Sequence, residues 1–559
     1  MRDRFSTVDC DVLIIGSGSA GSMAALRTKE VDPSLKVLVL EKSDHKYSGC
    51  IARGMDALNI VTLPGITSPE KYVLCNRESS MGIVDDDVQY EMAKRSYPLM
   101  QKLLDWGISF PVDEDGNYDL VRTHTKAKYL VAMDEPELKT ILAAKMKAAG
   151  VKVLNRTMGA EILTDSKGRV CGVMAMNVRT GELLYVRTNA VLLSSGGTAR
   201  FGLPNNGNLY GVYDYPLNTG DGYCLAYRAG AELSGFEYTM AFTIVKDVNI
   251  PLLYITLTRG AELFDGHGDT VETDGITIAK LQKAHMEGRS PLTIDMRQLP
   301  EKDVAYIEHI LFTCERPACK RFFEGRGVNF RDTTIELWPT EMFLCGGHGL
   351  TGVRVNPKAE TKVPGLYAAG DTSLVARGHL TGAFAFGEVA AENAAEYCRS
   401  ITESRNSRDQ IDRFVAHIDK RLAQKNNKIP IEECEFKIRR MINDYIAPPK
   451  NEDKLGRACK WMDQFYEELD TMAKVADVHD LFKILEVENI ITCGKLAAIA
   501  SDARKESRWI PWHYRSDYPT RDDANWEKHI ILTMGKSPLD IQVSFRDPIR
   551  LDLVDPGDN

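Results

Sequence analysis

The 559-residue sequence lacks several features that would place it in common protein classes. It has no excess of positive charge, and its net charge of −9 argues against nucleic-acid binding. No apolar run approaches the length needed to span a bilayer, and the charged first ten residues do not resemble a signal peptide. We therefore expect a cytoplasmic protein without direct membrane insertion.

The cysteines also exclude a class of protein. The twelve cysteines form no CxxC pair, and the closest two are Cys314 and Cys319. This spacing gives no ferredoxin-type cluster and no zinc ribbon, so we expect no metal site in this chain and reduced thiols throughout. The hydrophobic fraction of 43% and the length predict a globular protein of several domains.

A glycine-rich motif follows the first apolar strand. Gly16, Gly18 and Gly21 come directly after the strand, and a helix is predicted over residues 22–29. The first glycine permits a tight turn, the second lets the backbone approach a pyrophosphate, and the third allows close packing of helix and strand. Glu41 ends the next strand, where a carboxylate binds ribose hydroxyls. Together these features predict a dinucleotide-binding site.

The order of the patterns predicts a doubly wound, Rossmann-like α/β domain with an insertion. The alternating apolar pattern of strands continues after the first βαβ unit. It is interrupted in the middle of the chain and resumes near residue 352, and a helix is predicted over residues 383–398. The predicted parts are a cofactor domain at 1–235 and 345–404, an inserted α+β cap at 236–344, a helical domain at 405–525 and a tail at 526–559.

Several motifs resemble a known family. Residues 218–222, 363–371 and 382–391, with the glycine motif, resemble the fumarate reductase/succinate dehydrogenase flavoprotein superfamily. Within it, residues 47–59, 347–353, 504–519 and 522–526 are similar to the α subunit of dissimilatory adenylylsulfate reductases. The resemblance covers nearly the whole chain and implies an FAD enzyme with a ferredoxin-like iron–sulfur partner subunit.

The resemblance implies how FAD would be held. Ser48 stands where succinate dehydrogenases carry the histidine that tethers FAD, so we expect non-covalent FAD. Asp371 would face the ribityl or pyrophosphate group, and the helix near Gly382 would point its positive end at the flavin. The predicted cofactor-binding residues are Gly16, Gly18, Ser19, Ala20, Gly21, Glu41, Lys42, Ser48, Gly49, Gly54, Ser195, Gly196, Gly197, Asp221, Gly370, Asp371, Thr381, Gly382, Ala383 and Phe384.

The resemblance also implies catalytic residues. Asn59 and His348 match active-site residues of the adenylylsulfate reductases, and His348 suits binding an anion or handling a proton. The alternative for His348 is a turn histidine bonded to backbone. His379 stands where dicarboxylate-handling relatives carry an arginine, and it lacks the bidentate fork of that side chain.

The predicted cap matches the family least. Lys246 would supply positive charge to an anionic substrate; its alternative is a solvated surface lysine. The catalytic-acid arginine that the resemblance implies for the cap of fumarate reductases has no clear counterpart, and Arg259 is the candidate that lies there. Tyr210, Tyr213 and Tyr215 would stack on a planar substrate or pack in the core.

Three functional hypotheses follow. The first is the flavoprotein subunit of an adenylylsulfate-reductase-like complex, with two-electron chemistry at flavin N5 on a small anion. The second is a fumarate-reductase-type enoate or dicarboxylate oxidoreductase, against which the missing arginines argue. The third is a non-catalytic electron relay, which predicts a buried flavin without an open pocket.

Overall fold

A computed structural model describes residues 4–122, 127–205, 212–273, 277–401 and 407–554. Tyr210 lies outside the described residues. The strands are β1 (Phe5–Asp9), β2 (Val12–Ile15), β3 (Val37–Glu41), β4 (Ala57–Asn59), β5 (Leu120–Arg122), β6 (Tyr129–Ala132), β7 (Lys152–Asn155), β8 (Thr157–Thr164), β9 (Val170–Asn177), β10 (Leu183–Arg187), β11 (Ala190–Leu193), β12 (Leu233–Ser234), β13 (Thr243–Val245), β14 (Glu262–Phe264), β15 (Leu292–Asp295), β16 (Ile335–Pro339), β17 (Gly352–Val353), β18 (Leu366–Ala368), β19 (His529–Met534) and β20 (Ile541–Arg546).

Helices cover the sheets and form most of the region after residue 407. The α-helices are α1 (Ser19–Val31), α2 (Pro69–Ser79), α3 (Asp86–Asp105), α4 (Leu138–Ala148), α5 (Asp221–Arg228), α6 (Leu253–Leu257), α7 (Thr277–Met286), α8 (Glu301–His309), α9 (Cys319–Gly325), α10 (His379–Ser400), α11 (Arg408–Leu422), α12 (Ile431–Tyr445), α13 (Glu452–Thr471), α14 (Val478–Ala503) and α15 (Asp523–Trp526). A 3-10 helix spans Cys50–Arg53, and a π-helix spans Ile310–Glu315.

A five-stranded parallel sheet forms the centre of the cofactor domain. Its order is β18-β11-β2-β3-β7, and every neighbouring pair is parallel. Strands β2, β3 and β11 are buried at every position, which explains their unbroken apolar sequences. Helices α1 and α10 pack against each other beside this sheet. The predicted α/β fold class is confirmed.

The region between β12 and β17 contains a separate antiparallel sheet. Its order is β13-β16-β15-β14. A hydrophobic cluster from Val245 to Leu337 fills this region and is distinct from the large cluster around the parallel sheet. This region is the α+β cap, inserted between two parts of the cofactor domain. The exact domain limits given above stay predictions.

Two helices begin earlier than the sequence predicts. Helix α1 begins at Ser19 rather than residue 22, and α10 begins at His379 rather than Ala383. The backbone N of Gly382 donates to the carbonyl of Gly378 at 2.7 Å, so Gly382 lies within the helix instead of preceding it. The consequence is that His379 occupies the first turn of α10.

Helices α11 to α14 lie within the range 405–525, for which the sequence predicts a helical domain. Helix α14 is buried around most of its circumference, because α12, α13 and the cofactor domain surround it. No helix in the described part of the chain has the length and apolar composition needed to cross a membrane.

A buried ion network joins the helical region to the cofactor domain. Arg200 pairs with Glu435 of α12 at 2.5 Å and with Glu486 of α14 at 2.7 Å. Glu486 also pairs with Lys42, which follows β3, at 2.9 Å. Burial alone would raise the pKa of Glu435, but the hydrogen bonds and charge of Arg200 lower that pKa to about 2.

We predict that Glu435→Gln lowers the free energy of unfolding by about 3 kcal/mol at pH 7. Because the folded-state pKa lies below the ordinary value of 4.5, this stabilisation is present above that pH and is lost as pH falls toward about 2. The deficit should therefore shrink at about pH 3, measured by urea unfolding. Exposed Glu433→Gln on the same helix is the control; a deficit unchanged at low pH would assign the loss to packing.

Candidate active site

One large cavity runs from the glycine motif to the boundary between the cofactor domain and the cap. Its volume is about 700 Å³. It begins at the carboxyl ends of β2, β3 and β11, which is where ligands bind in parallel α/β sheets. Aromatic, histidine and basic side chains line its other end. The cavity therefore joins a nucleotide-type cradle to a pocket of different chemistry.

Two backbone segments approach closely at the cradle. Gly16 has a φ of 96°, and a Cβ there would lie 2.5 Å from the carbonyl oxygen of Ser194. A Cβ on Gly49 would lie 2.9 Å from the Cα of Gly18, just before helix α1. Because neither facing position carries a side chain, the free N–H groups at the start of α1 are accessible to a diphosphate.

Glu41 lies at the nucleotide end of the cavity. It is buried and accepts hydrogen bonds from the backbone N and Oγ of Ser17 at 2.9 and 2.7 Å and from the backbone N of Ser43 at 2.8 Å. These bonds fix the carboxylate at the end of β3. Its oxygens have further acceptor capacity, which suits a ribose diol.

The hydroxyl of Ser195 supports binding of a polar cofactor. Ser195 lines the cavity, and its Oγ is buried without a hydrogen-bond partner among the described residues. Buried polar atoms normally have a hydrogen-bond partner, so a ligand that fills the cavity would supply the partner of the Ser195 hydroxyl. The two-glycine cradle, Glu41 and this hydroxyl together fit FAD.

Lys42 and Asp221 line the cavity but pair with each other. The Lys42 Nζ lies 2.6 Å from Asp221, and Asp221 also accepts from Thr219 and Asn489. These contacts position α5 against α14. Their charges are balanced within the protein, so they give the cavity little net charge.

The other end of the cavity contains two histidines in contact. The rings of His348 and His379 have centroids 4.9 Å apart, and Phe242 contacts His348 edge-on at 5.4 Å. The backbone N of His379 donates to the carbonyl of Gly347 at 3.0 Å, which connects the two segments. Burial, with the nearby charges of His348 and Lys128, lowers the pKa of His379 well below its ordinary value. His379 is therefore neutral.

Three basic side chains line the same end, namely Lys128, Arg316 and Arg377. Burial, together with the charge of Arg377, lowers the pKa of Lys128 to about 7. Arg377 donates to the carbonyl of Ser79 at 2.9 Å and to the hydroxyl of Tyr238 at 3.2 Å, whereas its buried Nε has no partner among the described residues. This arrangement favours an anionic ligand.

Most of the residues predicted from the sequence lie around the cavity. Asn59, His348 and His379 line it, and Asp371 does so with a pKa raised to about 6 by burial and by Asp214. The predicted cofactor residues that line it are Gly16, Gly18, Ser19, Ala20, Glu41, Lys42, Ser48, Gly49, Gly54, Ser195, Gly196, Asp221, Gly370, Asp371 and Ala383. Their roles toward FAD stay predictions.

Some predicted cofactor residues lie behind the cavity lining. These are Gly21, Gly197, Thr381, Gly382 and Phe384. Gly21 serves the packing of helix and strand, since a Cβ there would clash with the carbonyl of Gly16. A Cβ on Gly197 would lie 2.3 Å from the carbonyl of Leu344. The Thr381 hydroxyl donates to the carbonyl of Asn59.

The structure does not bring the two predicted cap residues to the cavity. Lys246 is part-exposed and pairs with Glu336 at 2.8 Å, as expected for a surface lysine. Arg259 lies beside a smaller cavity and pairs with Asp119 at 3.4 Å. Tyr213 and Tyr215 do line the main cavity.

Several lining residues were missed by sequence reasoning. These are Lys128, Arg316, Arg377, Asp56, Glu315 and Tyr254. Asp56 lies within the recognised stretch 47–59 and Arg377 is two residues before His379, but neither was singled out. The other four belong to segments without a recognised motif, and the fold brings them to the cavity from distant parts of the sequence.

A group of three side chains in the cavity has spacing that a cation accepts. One atom each of Cys50, Asp214 and Asp371 lie within 4.8 Å of one another. Burial raises the pKa of the Cys50 thiol well above its ordinary value, so without a metal this thiol keeps its proton. The group is therefore not a preformed set of three anionic ligands.

A dinucleotide cradle that opens onto histidines and buried basic side chains defines the chain as an FAD-dependent oxidoreductase. Residues 11–387 match the family described as "FAD binding domain", and residues 436–557 match "Fumarate reductase flavoprotein C-term". Because the first match covers more than half of the chain, the chain belongs to this FAD-binding flavoprotein family, the fumarate reductase/succinate dehydrogenase superfamily.

Relatives with several activities share this architecture. The 8-methylmenaquinol:fumarate reductase flavoprotein subunit of Wolinella succinogenes is 25% identical, covering 94% of this chain and 89% of its own. The L-aspartate oxidase of Streptomyces coelicolor is 23% identical, covering 94% and 92%. The solved adenylylsulfate reductase of Archaeoglobus fulgidus shares the fold with a TM-score of 0.88, at 20% identity over 99% and 97% of the two chains.

We predict that Gly49→Ala reduces FAD retention by at least about tenfold, because the added methyl group fills the gap facing Gly18. Retention is measured as flavin absorbance per protein after gel filtration. Gly65→Ala is a matched control, since Gly65 has the same φ of 81° but no atom within 4 Å of the added Cβ. Equal FAD retention in the two variants would contradict the assigned cradle.

Proposed function

We propose that this chain is the flavoprotein subunit of an FAD/iron–sulfur oxidoreductase that acts on a small anion, either adenylylsulfate or a related compound. One observation carries the proposal. The FAD cradle and a pocket containing His348, His379 and three buried basic side chains belong to a single cavity. A substrate in that pocket would share an enclosed space with the cofactor.

Bound FAD would supply two-electron chemistry at its N5 position, and the protein groups would bind and orient the substrate. Lys128 and Arg377 attract the anion from the same side of the pocket. The neutral ring of His379 has one N–H donor and one nitrogen acceptor, so it can hold a proton near the substrate. The rings of Tyr213 and Phe242, with centroids 4.9 Å apart, present apolar surface beside His348.

We further propose that electrons pass through a separate ferredoxin-like subunit. The sequence has no cluster motif and no second nucleotide fingerprint. The Wolinella succinogenes relative is named as a flavoprotein subunit, which supports an assembly of this kind. A cytoplasmic location stays a prediction. Native purification with iron analysis tests the partner; a fully active chain without iron would contradict it.

A second candidate substrate class is the dicarboxylates. Arg377 lies in the cavity with a guanidinium that suits a carboxylate, although the sequence places His379 at the usual arginine position. Fumarate and aspartate appear in the names of the relatives. A purely electron-relaying role is less well supported, because the cavity of about 700 Å³ offers room for a substrate.

The first test is an anaerobic visible spectrum before and after adding AMP and sulfite. We predict that the flavin bands bleach, because FAD bound in this cavity would lie beside the anion pocket. Bleaching by succinate or aspartate instead would assign the dicarboxylate class.

His348→Ala separates substrate chemistry from electron relay. It should slow bleaching by about 100-fold without loss of FAD, as expected for removal of a group that handles a proton. The control is His479→Ala, at the exposed start of α14. Unchanged bleaching in His348→Ala would contradict a role for this histidine in the reaction.

The pKa of Lys128 predicts how anion binding depends on pH. Above about pH 7 the amine loses its proton, so the affinity for sulfite should weaken, approaching tenfold per pH unit. Lys128→Arg keeps its charge and should remove this dependence between about pH 7.5 and 9. Titration of the flavin spectrum with sulfite measures the affinity; identical pH profiles in both proteins would exclude Lys128 from the anion site.

A further inference from the structure

A pair of buried carboxyl side chains lies where the cap meets the cofactor domain. Asp56 precedes β4, and Glu315 ends the π-helix of the cap; they are 5% and 3% exposed. Their carboxyl groups lie within hydrogen-bonding reach of each other. Two carboxyl groups so placed form a hydrogen bond when one of them carries a proton. The pair is therefore placed to hold one shared proton inside the protein.

The surroundings of the pair favour the protonated form of one carboxyl group. Tyr254 donates its hydroxyl to Asp56, and the Arg316 Nη1 lies 2.7 Å from the Glu315 Oε1. Burial raises the pKa of Glu315 well above its ordinary value, against the opposing charge of Arg316, and burial also raises the pKa of Asp56. The titratable groups that face this cluster from neighbouring elements are Cys50, Arg53, Asp119, Asp134, Tyr213, Tyr306 and Cys314.

Backbone contacts fix the distance between the two domains at this point. The backbone N of Met55 donates to the carbonyl of Cys314 at 2.9 Å. Gly54 lies so close to the end of the π-helix that a Cβ would be 2.2 Å from the carbonyl oxygen of Glu315. The backbone segments that carry Asp56 and Glu315 are therefore in direct contact, which fixes the positions of the two residues.

The pair lies between two cavities. Asp56 and Tyr254 line both the main cavity and a second cavity of about 20 Å³, which has room for one water molecule. Asp119, Arg259 and Tyr306 line the second cavity, and the side chain of Asp119 is 33% exposed. Glu315 and Arg316 line the main cavity. Polar groups thus lead from solvent to the proposed reaction site.

We propose that Asp56 and Glu315 form a proton relay between the solvent-facing cavity at Asp119 and the main cavity. The inference rests on the proposed function, because two-electron reduction or oxidation in the main cavity takes up or releases protons. In the uptake direction, the proton leaves Glu315 for an acceptor in the main cavity. Asp56 then takes a proton from water in the second cavity, and that water recovers one from solvent.

Infrared spectroscopy of the FAD-loaded protein at about pH 8.5 tests whether the pair holds a proton. Two other buried carboxyl groups with raised pKa values are ionised there, because the pKa of Glu341 is about 7 and that of Asp371 about 6. We expect a carboxylic-acid carbonyl band that shifts in D₂O. It should disappear in Glu315→Gln and move in Tyr254→Phe, which keeps both carboxyl groups and removes one hydrogen bond.

Glu341→Gln is the matched control, since it removes a different buried carboxyl group and should leave the band at this pH unchanged. A band that is missing from the wild type, or is the same in Glu315→Gln and Tyr254→Phe, would overturn the shared proton.

Proton movement is measured with a pH-sensitive dye during photoreduction of the flavin, which requires no substrate. We expect Glu315→Gln to slow proton uptake by about 100-fold. Equal uptake rates in the variant and the wild type would overturn the relay. Failure of the proposed substrate class would appear separately, as unbleached flavin with every anion tested, while both readouts of the relay remain decisive.

Discussion

The approach of two side-chain-free backbone segments at the end of the parallel sheet is the constraint on which the site depends. Gly18 and Gly49 face each other there, and helix α1 begins immediately afterwards. A side chain at Gly49 would press on the backbone of Gly18, where we expect the diphosphate to bind. The large cavity begins at this gap and extends to the histidine pair.

The cavity changes character along its length. At the nucleotide end, charged groups such as Lys42 and Asp221 neutralise each other and connect to the ion network of α12 and α14. At the other end, burial and the nearby charge of Arg377 lower the pKa of Lys128 to about 7, so two basic groups lie close together in a desolvated site. Desolvated positive charge of this kind is stabilised by an incoming anion. The contrast separates a cofactor end from a substrate end.

Local patterns in the sequence predicted the cofactor domain well. The glycine motif and Glu41 occupy one βαβ unit, so their spacing in sequence determines their spacing in the fold. The anion pocket was not predictable in this way. Lys128 and Arg377 come from distant segments, and a positive charge alone led to Lys246, which lies at the surface. Similarly, the sequence placed His379 before the last cofactor helix. It lies in the first turn of that helix, because the helix starts ahead of Gly382 and continues through it.

The cap has a hydrophobic core of its own, from Val245 to Leu337. A unit with its own core can rotate as a rigid body, because its internal packing is kept while only the contacts at its boundary are exchanged for water. The boundary contacts include the hydrogen bond from Met55 to Cys314 and the pairing of Asp56 with Glu315. Opening the cap to admit a ligand would therefore separate the carboxyl pair. If the cap rotates in this way, the protonation state of the two side chains would change with that motion, and the proposed path for protons would be continuous only in the closed site.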